Sequence, residues 1–168
     1  MKRETYLKIY EKQAKFYRAH PIAKKILLSV NILSTVGVFC SYIAYCVYAL
    51  FVKDPKTADY LRLLGVPALG FLLASLLRIF INRPRPYERD VEPLVKKQRI
   101  GRSFPSRHGA SAFVIGTTLC SYLLPLGIAV LILGLGFCYV RFATGFHYPS
   151  DLYAGAIIGV FVGLLAFL

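Results

Sequence analysis

The stretch VRFATGFHYPSD, residues 140–151, separates two strongly apolar runs, Leu126–Tyr139 and Leu152–Leu168. Its ionisable side chains are Arg141, His147 and Asp151. Ionisable groups are costly at membrane depth, so a cluster of them between two apolar runs marks a functional position. The stretch therefore indicates two membrane-spanning helices joined by a turn that carries chemistry. The alternative interpretation is a polar turn in which Ser150 and Asp151 cap the second helix.

The spacing of His147 and Asp151 suggests a histidine that is oriented by a carboxylate. Residues four apart share a face where the chain turns helically. The carboxylate can then accept the imidazole N–H and determine which ring nitrogen faces a substrate. Pro149 works against a helical turn at this point, because it favours an extended conformation of Tyr148.

The composition indicates an integral membrane protein that meets anionic groups. The 168 residues are 57% hydrophobic, with 21 Lys and Arg against 8 Asp and Glu. This combination is typical of a membrane protein that faces anionic lipid or phosphate. A basic nucleic-acid-binding protein would not contain several apolar runs of membrane length, so we expect no nucleic-acid partner.

Five apolar runs are candidate membrane-spanning helices. They are Ile26–Val52, Leu63–Ile81, Gly109–Leu124, Leu126–Tyr139 and Leu152–Leu168. Asp54-Pro55 predicts a turn after the first run, and Pro125 with Gly127 predicts a tight turn between the third and the fourth.

The N-terminal segment, residues 1–20, has the pattern of an amphipathic helix. Its tyrosines recur at helical spacing, and lysines fill the other face; they are Tyr6, Tyr10 and Tyr17. Such a helix lies at the membrane interface with its aromatic rings at headgroup level, the alternative being a cytosolic tail of the same pattern. The predicted fold is thus an all-α integral membrane protein with an interfacial helix and a bundle of about five transmembrane helices. We expect a single domain over residues 1–168, with the bundle at residues 26–168.

Two arginines beside the extended polar region, residues 82–104, are candidates for binding phosphate at an active-site loop. Arg78 lies about one turn inside the second apolar run, where a lone cation is costly. Arg85 lies two turns further on, just beyond a proline that ends the helix. Their guanidinium groups can converge on one phosphate with forked donors. We interpret Arg83 and Arg89 as membrane-anchoring cations.

The sequence FPSRHG, residues 104–109, predicts an anion site at the start of the third span. Ser106 is placed to cap the helix. The backbone N–H groups of Arg107 and His108 then point at whatever lies at the helix start. His108 adds a titratable proton donor at the same place. The alternative is a plain serine cap beside an incidental histidine.

Together, the three segments resemble the motifs of the type 2 phosphatidic acid phosphatase superfamily. Arg78-x6-Arg85-Pro86 matches the family pattern Lys-x6-Arg-Pro, and Pro105-Ser106-Arg107-His108 matches Pro-Ser-Gly-His. The third pattern, Ser-Arg-x5-His-x3-Asp, is matched from Val140 to Asp151. The departures are Arg78 for lysine, Arg107 for glycine and Val140 for serine, and a count of spans one below the usual number.

The resemblance implies a lipid phosphatase that needs neither a metal ion nor a cofactor. His147 would form a phosphohistidine, Asp151 would orient it, and His108 would protonate the leaving group. The residues implied to hold the phosphoryl oxygens are Arg78, Arg85, Ser106, Arg107 through its backbone N–H, and Arg141. The implied substrates are phosphatidic acid, phosphatidylglycerol phosphate or a polyprenyl diphosphate, at a membrane surface.

Other functions fit some of the same residues. His108, His147 and Asp151 could ligate a metal ion, although converging arginines favour an anion over a dication. A lipid phosphotransferase would use the same intermediate. A non-catalytic anion-binding or lipid-binding membrane protein would use the same arginines without needing two histidines.

Alternating spans place residues 82–104 and 141–151 on the same membrane face as the N-terminus. Residues 1–25 carry eight Lys and Arg, whereas the opposite face has Lys53, Lys56 and Arg62. Because short flanking segments rich in Lys and Arg stay cytoplasmic, we expect an active site that faces the cytoplasm.

Overall fold

The computed structural model describes residues 3–53, 57–96 and 100–168, and its regular structure within these ranges is helical. The helices are α1 Arg3–Ala19, α2 Pro21–Tyr48, α3 Thr57–Ile81, α4 Pro86–Arg89, α5 Arg107–Tyr122, α6 Leu124–Ala143 and α7 Pro149–Gly163. A π-helical turn, Ala49–Lys53, extends α2, and a 3₁₀ turn, Leu164–Phe167, extends α7. The turn predicted at Asp54-Pro55 lies outside the described residues.

The all-α membrane architecture predicted from the sequence is confirmed. Four stretches have the length and hydropathy of membrane spans: Pro21–Val52, Ala58–Arg89, Leu124–Ala143 and Pro149–Phe167. Helix α5 occupies the position of the remaining predicted span but has 16 residues, which is short for a bilayer at ~1.5 Å per residue. The count of five crossings therefore stays a prediction.

Helix α5 lies at the centre of the bundle. Every residue from Gly109 to Leu119 is buried, and α5 packs against α3, α6 and α7. Val114 of α5 clusters with Leu63 of α3 and Val130 of α6. The segment FPSRHG therefore leads into the most enclosed helix of the protein, which gives the site a rigid base.

Helix α1 packs on the bundle through its tyrosine face. Tyr6 and Tyr10 are each 2% exposed, in a cluster with Leu27, Leu94 and Val140. These tyrosines therefore face protein, and not lipid headgroups as the sequence pattern suggested. The lysines of α1 remain exposed, so an interfacial location of the helix stays a prediction.

The turn between α5 and α6 lies earlier than predicted. Helix α5 ends at Tyr122 and α6 begins at Leu124, so Leu123, with φ −148° and ψ 88°, reverses the chain. Pro125 lies in the first turn of α6, where a missing backbone N–H is tolerated. Gly127 lies inside α6, and it permits a close approach to α5.

Glycines of α7 leave no room for a side chain against α5. At Gly155, an added Cβ would lie 2.5 Å from the carbonyl oxygen of Ser106. At Gly159, it would lie 2.6 Å from that of Ala110. This contact brings the start of α7 against the Ser106 cap, whose backbone N–H donates to the carbonyl oxygen of Asp151 at 2.8 Å.

We expect Gly155→Ala to lower the free energy of unfolding by about 1–3 kcal/mol, because the methyl group must displace backbone of α5. Thermal unfolding of the purified protein in detergent would measure the loss. The matched control is Gly65→Ala in α3, where nothing lies within 4 Å of the added Cβ. A melting temperature unchanged by Gly155→Ala would contradict the close approach.

Candidate active site

The two polar loops predicted to share a membrane face are in contact. Arg83 Nη1 donates to Asp151 Oδ1 at 2.9 Å, and Ser103 Oγ lies 3.3 Å from His147 Nδ1. The loop after α3 and the turn after α6 therefore form one site, at the end of the bundle where α5 and α7 begin.

The C-terminal turn of α6 determines where His147 lies. The carbonyl oxygen of Arg141 accepts the backbone N–H groups of Phe146 at 3.0 Å and His147 at 3.3 Å. Gly145 makes this reversal with φ +75°, a left-handed conformation in which glycine is favoured. The reversal turns the His147 side chain inward, so that the residue is 4% exposed.

Asp151 contacts His147, but not through the helical turn that the spacing suggested. Helix α7 begins at Pro149, and Tyr148 is extended with φ −71° and ψ 153°, so His147 precedes the helix. The predicted contact nevertheless forms, with His147 Nδ1 3.4 Å from Asp151 Oδ2. The same Oδ2 accepts the backbone N–H of Tyr148 at 3.0 Å, which fixes the carboxylate at the start of α7.

Ser103, which the sequence analysis did not single out, completes this contact. It is fully buried, and its hydroxyl donates to Asp151 Oδ2. A serine hydroxyl has one proton to donate, so His147 Nδ1 must be the donor in its own contacts. The neutral imidazole then carries its lone pair on Nε2, which is the form required of a nucleophile.

Arg83 is the cation that pairs with Asp151, a different role from the membrane anchoring expected from the sequence. Its guanidinium group also donates to Ser150 Oγ at 2.7 Å, and it lies 4.2 Å from the ring centroid of Tyr148. Asp151 has no exposed surface, and a buried carboxylate needs such compensation.

Burial lowers the pKa of His147 from 6.5 to about 4. This value already includes the hydrogen bond to Asp151, which raises the pKa, and the positive charges of Arg85 and Arg141, which act in the same direction as burial. The imidazole is therefore neutral at physiological pH, which leaves the Nε2 lone pair available.

We expect the His147 ring to stay neutral from about pH 7.5 to about pH 5.5, because its pKa is depressed below that range. Nitrogen-15 NMR of a variant that retains only this histidine, His20→Gln with His108→Gln, would follow the titration. In the unfolded chain the imidazole of His147 is protonated below about pH 6.5, whereas in the folded chain it stays neutral. The free energy of unfolding should therefore fall as the pH decreases below about 6.5. A titration midpoint above about pH 6 would contradict the burial argument.

Predicted phosphate-binding arginines line one cavity of about 800 Å³. They are Arg78, Arg85 and Arg107, joined by Arg89 and Arg102. Arg78 donates to the carbonyl oxygen of Pro105 at 3.4 Å, and Arg85 donates to that of Phe146 at 3.2 Å. Since Phe146 precedes His147, Arg85 connects the cavity to the histidine.

Glu88 organises the loop that borders the cavity. Its Oε1 accepts the backbone N–H groups of Arg85 at 3.0 Å and Gly101 at 2.7 Å. Gly101 has φ +64° and Arg102 has φ +52°, a conformation that is uncommon for a residue with a side chain. The pinned turn holds Arg102 at the cavity. The side chain of Arg107 extends the cavity on the α5 side, with its guanidinium 5.3 Å from the ring centroid of Phe71.

Arg141 and His108 share contacts with the ring of Phe137. The Arg141 guanidinium lies 4.5 Å from the ring centroid, and the His108 ring stacks on Phe137 with centroids 5.5 Å apart. Ser106 is the N-cap of α5 as predicted, and its hydroxyl oxygen accepts the N–H of Gly109 at 3.3 Å. The first N–H groups of α5 are consequently directed at the helix start.

The predicted site residues His108, His147 and Asp151 were also considered above as ligands of a metal ion. Among the residues that the structure describes, no group of three or more His, Cys, Asp or Glu side chains could hold a metal ion. His147 and Asp151 instead engage each other and Ser103.

Comparisons with known proteins agree with the motif assignment. A sequence profile described as the PAP2 superfamily matches residues 59–168. Undecaprenyl-diphosphatase BcrC of Bacillus subtilis is 24% identical over 146 residues, which are 82% of this chain and 75% of that protein. Lipid A 4'-phosphatase of Bacteroides thetaiotaomicron is 36% identical over 99 residues, 54% of this chain and 44% of the relative.

Two solved structures are similar over nearly the whole chain. The crystal structure of Aquifex aeolicus LpxE has a TM-score of 0.72 at 26% identity, covering 95% of this chain and 93% of that one. A transmembrane PAP2-type phosphatidylglycerolphosphate phosphatase from Bacillus subtilis has a TM-score of 0.75 at 20% identity, covering 97% and 83% respectively. The second likeness concerns the fold.

Proposed function

The chain belongs to the PAP2 superfamily and is a membrane lipid phosphatase, and from this premise we propose that it acts through a phosphohistidine on His147. The observation that carries the proposal is the buried contact of His147 Nδ1 with Asp151 and Ser103. This contact leaves Nε2 as the attacking nitrogen. Arg85, which lines the arginine cavity, donates to the carbonyl oxygen of the preceding residue, Phe146.

The reaction has two steps in which the same residues act. His147 Nε2 attacks phosphorus, a P–N bond forms as the bond to the leaving oxygen breaks, and His108 donates a proton to that oxygen. Water then attacks the phosphohistidine while His108 takes up a proton, which releases inorganic phosphate and restores His147. The charge that spreads over the phosphoryl oxygens is balanced by Arg78, Arg85, Arg141 and the start of α5 with Ser106 and Arg107.

We propose a lipid diphosphate as the preferred substrate. Five arginines and one glutamate line the cavity, and this excess of cations exceeds the charge of a phosphate monoester, about −2. Arg107 stands where the family motif has glycine, so its side chain adds a cation for a second phosphate. The Bacillus subtilis relative is an undecaprenyl-diphosphatase, which supports this choice.

A phosphate-release assay on the purified protein tests both the activity and the substrate. The panel contains phosphatidic acid, phosphatidylglycerol phosphate, and a polyprenyl diphosphate with its monophosphate of equal tail length. We expect inorganic phosphate from the diphosphate with kcat/KM at least about tenfold above the monophosphate, or about 1.4 kcal/mol. No release from any of these lipids would refute the activity, and label transferred to a second lipid would identify a phosphotransferase.

The role of Arg107 is measured by the ratio of the two kcat/KM values. Arg107→Ala should reduce the preference for diphosphate by about tenfold. Only the diphosphate has a second phosphate, and the substitution removes the guanidinium that would bind it. The matched control is Arg62→Ala near the start of α3, where Arg62 lies 3.7 Å from Asp59. If Arg107→Ala and Arg62→Ala both keep the wild-type ratio of kcat/KM for diphosphate over monophosphate, Arg107 does not bind a second phosphate.

We further propose that the site faces the cytoplasm. The positive N-terminal segment supports this orientation, because α1 contacts the active-site loop along its length: Arg3 bonds Asp90, and Arg18 bonds Glu92 at 2.8 Å. The N-terminal cations therefore lie on the side of the site, where the bias of Lys and Arg favours the cytoplasm.

Cysteine labelling tests this orientation. Lys96→Cys on the site face and Leu123→Cys in the α5–α6 turn at the other end would each be made without the native cysteines, Cys40, Cys46, Cys120 and Cys138. An impermeant maleimide should label Leu123→Cys in intact cells and Lys96→Cys only after permeabilisation. The reverse pattern would refute a cytoplasmic site.

A further inference from the structure

A chain of contacts connects α1 to the catalytic carboxylate. Asp90, just after α4, accepts hydrogen bonds from Arg3, with Nε at 3.0 Å, and from the hydroxyl of Tyr148. Tyr148 directly follows His147, and the centroid of its ring lies 5.3 Å from that of Tyr6. The N-terminal helix is thus bonded to the turn that carries the nucleophile.

The Tyr148 ring carries this connection on to Asp151. The guanidinium group of Arg83 lies 4.2 Å from the ring centroid and donates to Asp151 Oδ1 at 2.9 Å. An arginine over an aromatic face is held by the negative charge of the ring face. The angle of the ring, which its bond to Asp90 helps to fix, therefore influences where Arg83 meets the carboxylate.

Asp90 is suited to act as a fixed anchor. Its side chain is 6% exposed, whereas that of its partner Arg3 is 70% exposed. Burial raises the pKa of Asp90, but the hydrogen bonds from Tyr148 and Arg3 outweigh burial and bring the pKa below its usual value. The carboxyl group stays charged and keeps both partners in place.

We propose that Asp90 and Tyr148 are positioning residues, held by Arg3, that orient Arg83 on Asp151 and thereby align His147. Helix α1 then contributes to catalysis, because its Arg3 holds the positioning residues in place. The inference rests on the proposed nucleophilic role of His147. It predicts an effect on the chemical step, because neither Arg3 nor Tyr148 lines the arginine cavity that receives phosphate.

The structure offers a matched control on the same helix. Arg18 bonds the side chain of Glu92 at 2.8 Å, which also joins α1 to the loop. The side chains of this pair are 47% and 82% exposed. The backbone carbonyl oxygen of Glu92 accepts from Arg18 at 3.1 Å and from Tyr10 at 2.8 Å. Arg18→Ala therefore removes an ion pair of α1 without removing a bond to the catalytic turn.

The test compares kcat and KM for Arg3→Ala, Arg3→Lys, Tyr148→Phe and Arg18→Ala in the detergent-purified full chain. We expect Arg3→Ala and Tyr148→Phe each to lower kcat by about tenfold with KM within about twofold, since small misplacements of a nucleophile are costly. Arg3→Lys should recover part of the loss, and Arg18→Ala should behave as wild type. The double variant Arg3→Ala with Tyr148→Phe should lose little more than either single variant, because both act through Asp90.

Several outcomes would overturn the inference. They are equal kcat values for Arg3→Ala and Arg18→Ala, losses confined to KM, or losses that add fully in the double variant. Tyr148→Phe keeps the ring beneath Arg83, so a folded protein with unchanged kcat would also overturn it. Wild-type protein that releases no phosphate, or that keeps its activity in His147→Ala, would instead refute the proposed function on which the inference rests.

Discussion

Replacing His147 with alanine should lower kcat for phosphate release by at least about 10⁴-fold, because the reaction loses its nucleophile. His147 is the histidine that contacts both Asp151 and Ser103, with Arg85 and Arg141 close enough to disfavour its protonated form. Water attacking phosphorus directly would keep the arginines, the start of α5 and His108, but it would lack a nucleophile held in place beside phosphorus.

Two measurements make this prediction specific. Wild-type protein quenched in alkaline detergent should retain label from a phosphorus-labelled substrate, and acid should then release that label, whereas His147→Ala should retain none. The control is His20→Ala, which removes an exposed histidine whose ring stacks on Phe16 of α1. Activity of His147→Ala within about tenfold of wild type would exclude the phosphohistidine pathway.

The family could be identified from the sequence because its motifs are local. Arg78 and Arg85, or His147 and Asp151, stand at fixed offsets along the chain, and such offsets survive without knowledge of the fold. The resemblance to phosphatidic acid phosphatases is confirmed. The N-cap at Ser106 could also be predicted from the sequence, because a serine directly before an apolar run commonly caps a helix.

Residues whose roles depend on tertiary contacts were not identified in this way. Ser103 and Arg83 reach Asp151 across 48 and 68 positions of the chain, so no periodicity reveals them. Arg83 resembled an anchoring cation because a positive residue at a helix end has that role by default. The contact of His147 with Asp151 was predicted correctly, but its supposed helical turn is replaced by an extended Tyr148.

The distribution of carboxylates along the sequence also points to Asp90. The chain has 8 Asp and Glu against 21 Lys and Arg, and three of these scarce carboxylates fall in the short segment Glu88, Asp90 and Glu92. Each is bonded in the structure: Glu88 to the cavity loop, Asp90 to Tyr148 and Arg3, and Glu92 to Arg18. In a strongly basic chain, an acidic cluster beside the active-site motif is a candidate for organising it.

Asp151→Asn should lower kcat by about 10³–10⁴-fold while leaving the protein folded, because an amide cannot replace both carboxylate oxygens. Oδ2 accepts from Ser103, Tyr148 N–H and His147, whereas Oδ1 accepts from Arg83. With its NH₂ group at the Oδ2 position, the asparagine would favour the imidazole tautomer protonated on Nε2, which cannot attack. With its NH₂ group at the Oδ1 position, it would oppose the Arg83 guanidinium, donor against donor.

The second orientation suggests a compensating substitution. Its effect would distinguish a loss of catalysis caused by the orientation of His147 from a loss of stability. In the double variant Asp151→Asn with Arg83→Gln, the glutamine oxygen can accept from the asparagine NH₂ group, which leaves the amide oxygen facing His147 Nδ1. We expect the double variant to be more active than Asp151→Asn alone, and nitrogen-15 NMR of His147 should report the Nδ1–H tautomer again. Additive losses, or an unchanged tautomer in Asp151→Asn, would show that Asp151 acts on stability and not on the orientation of the nucleophile.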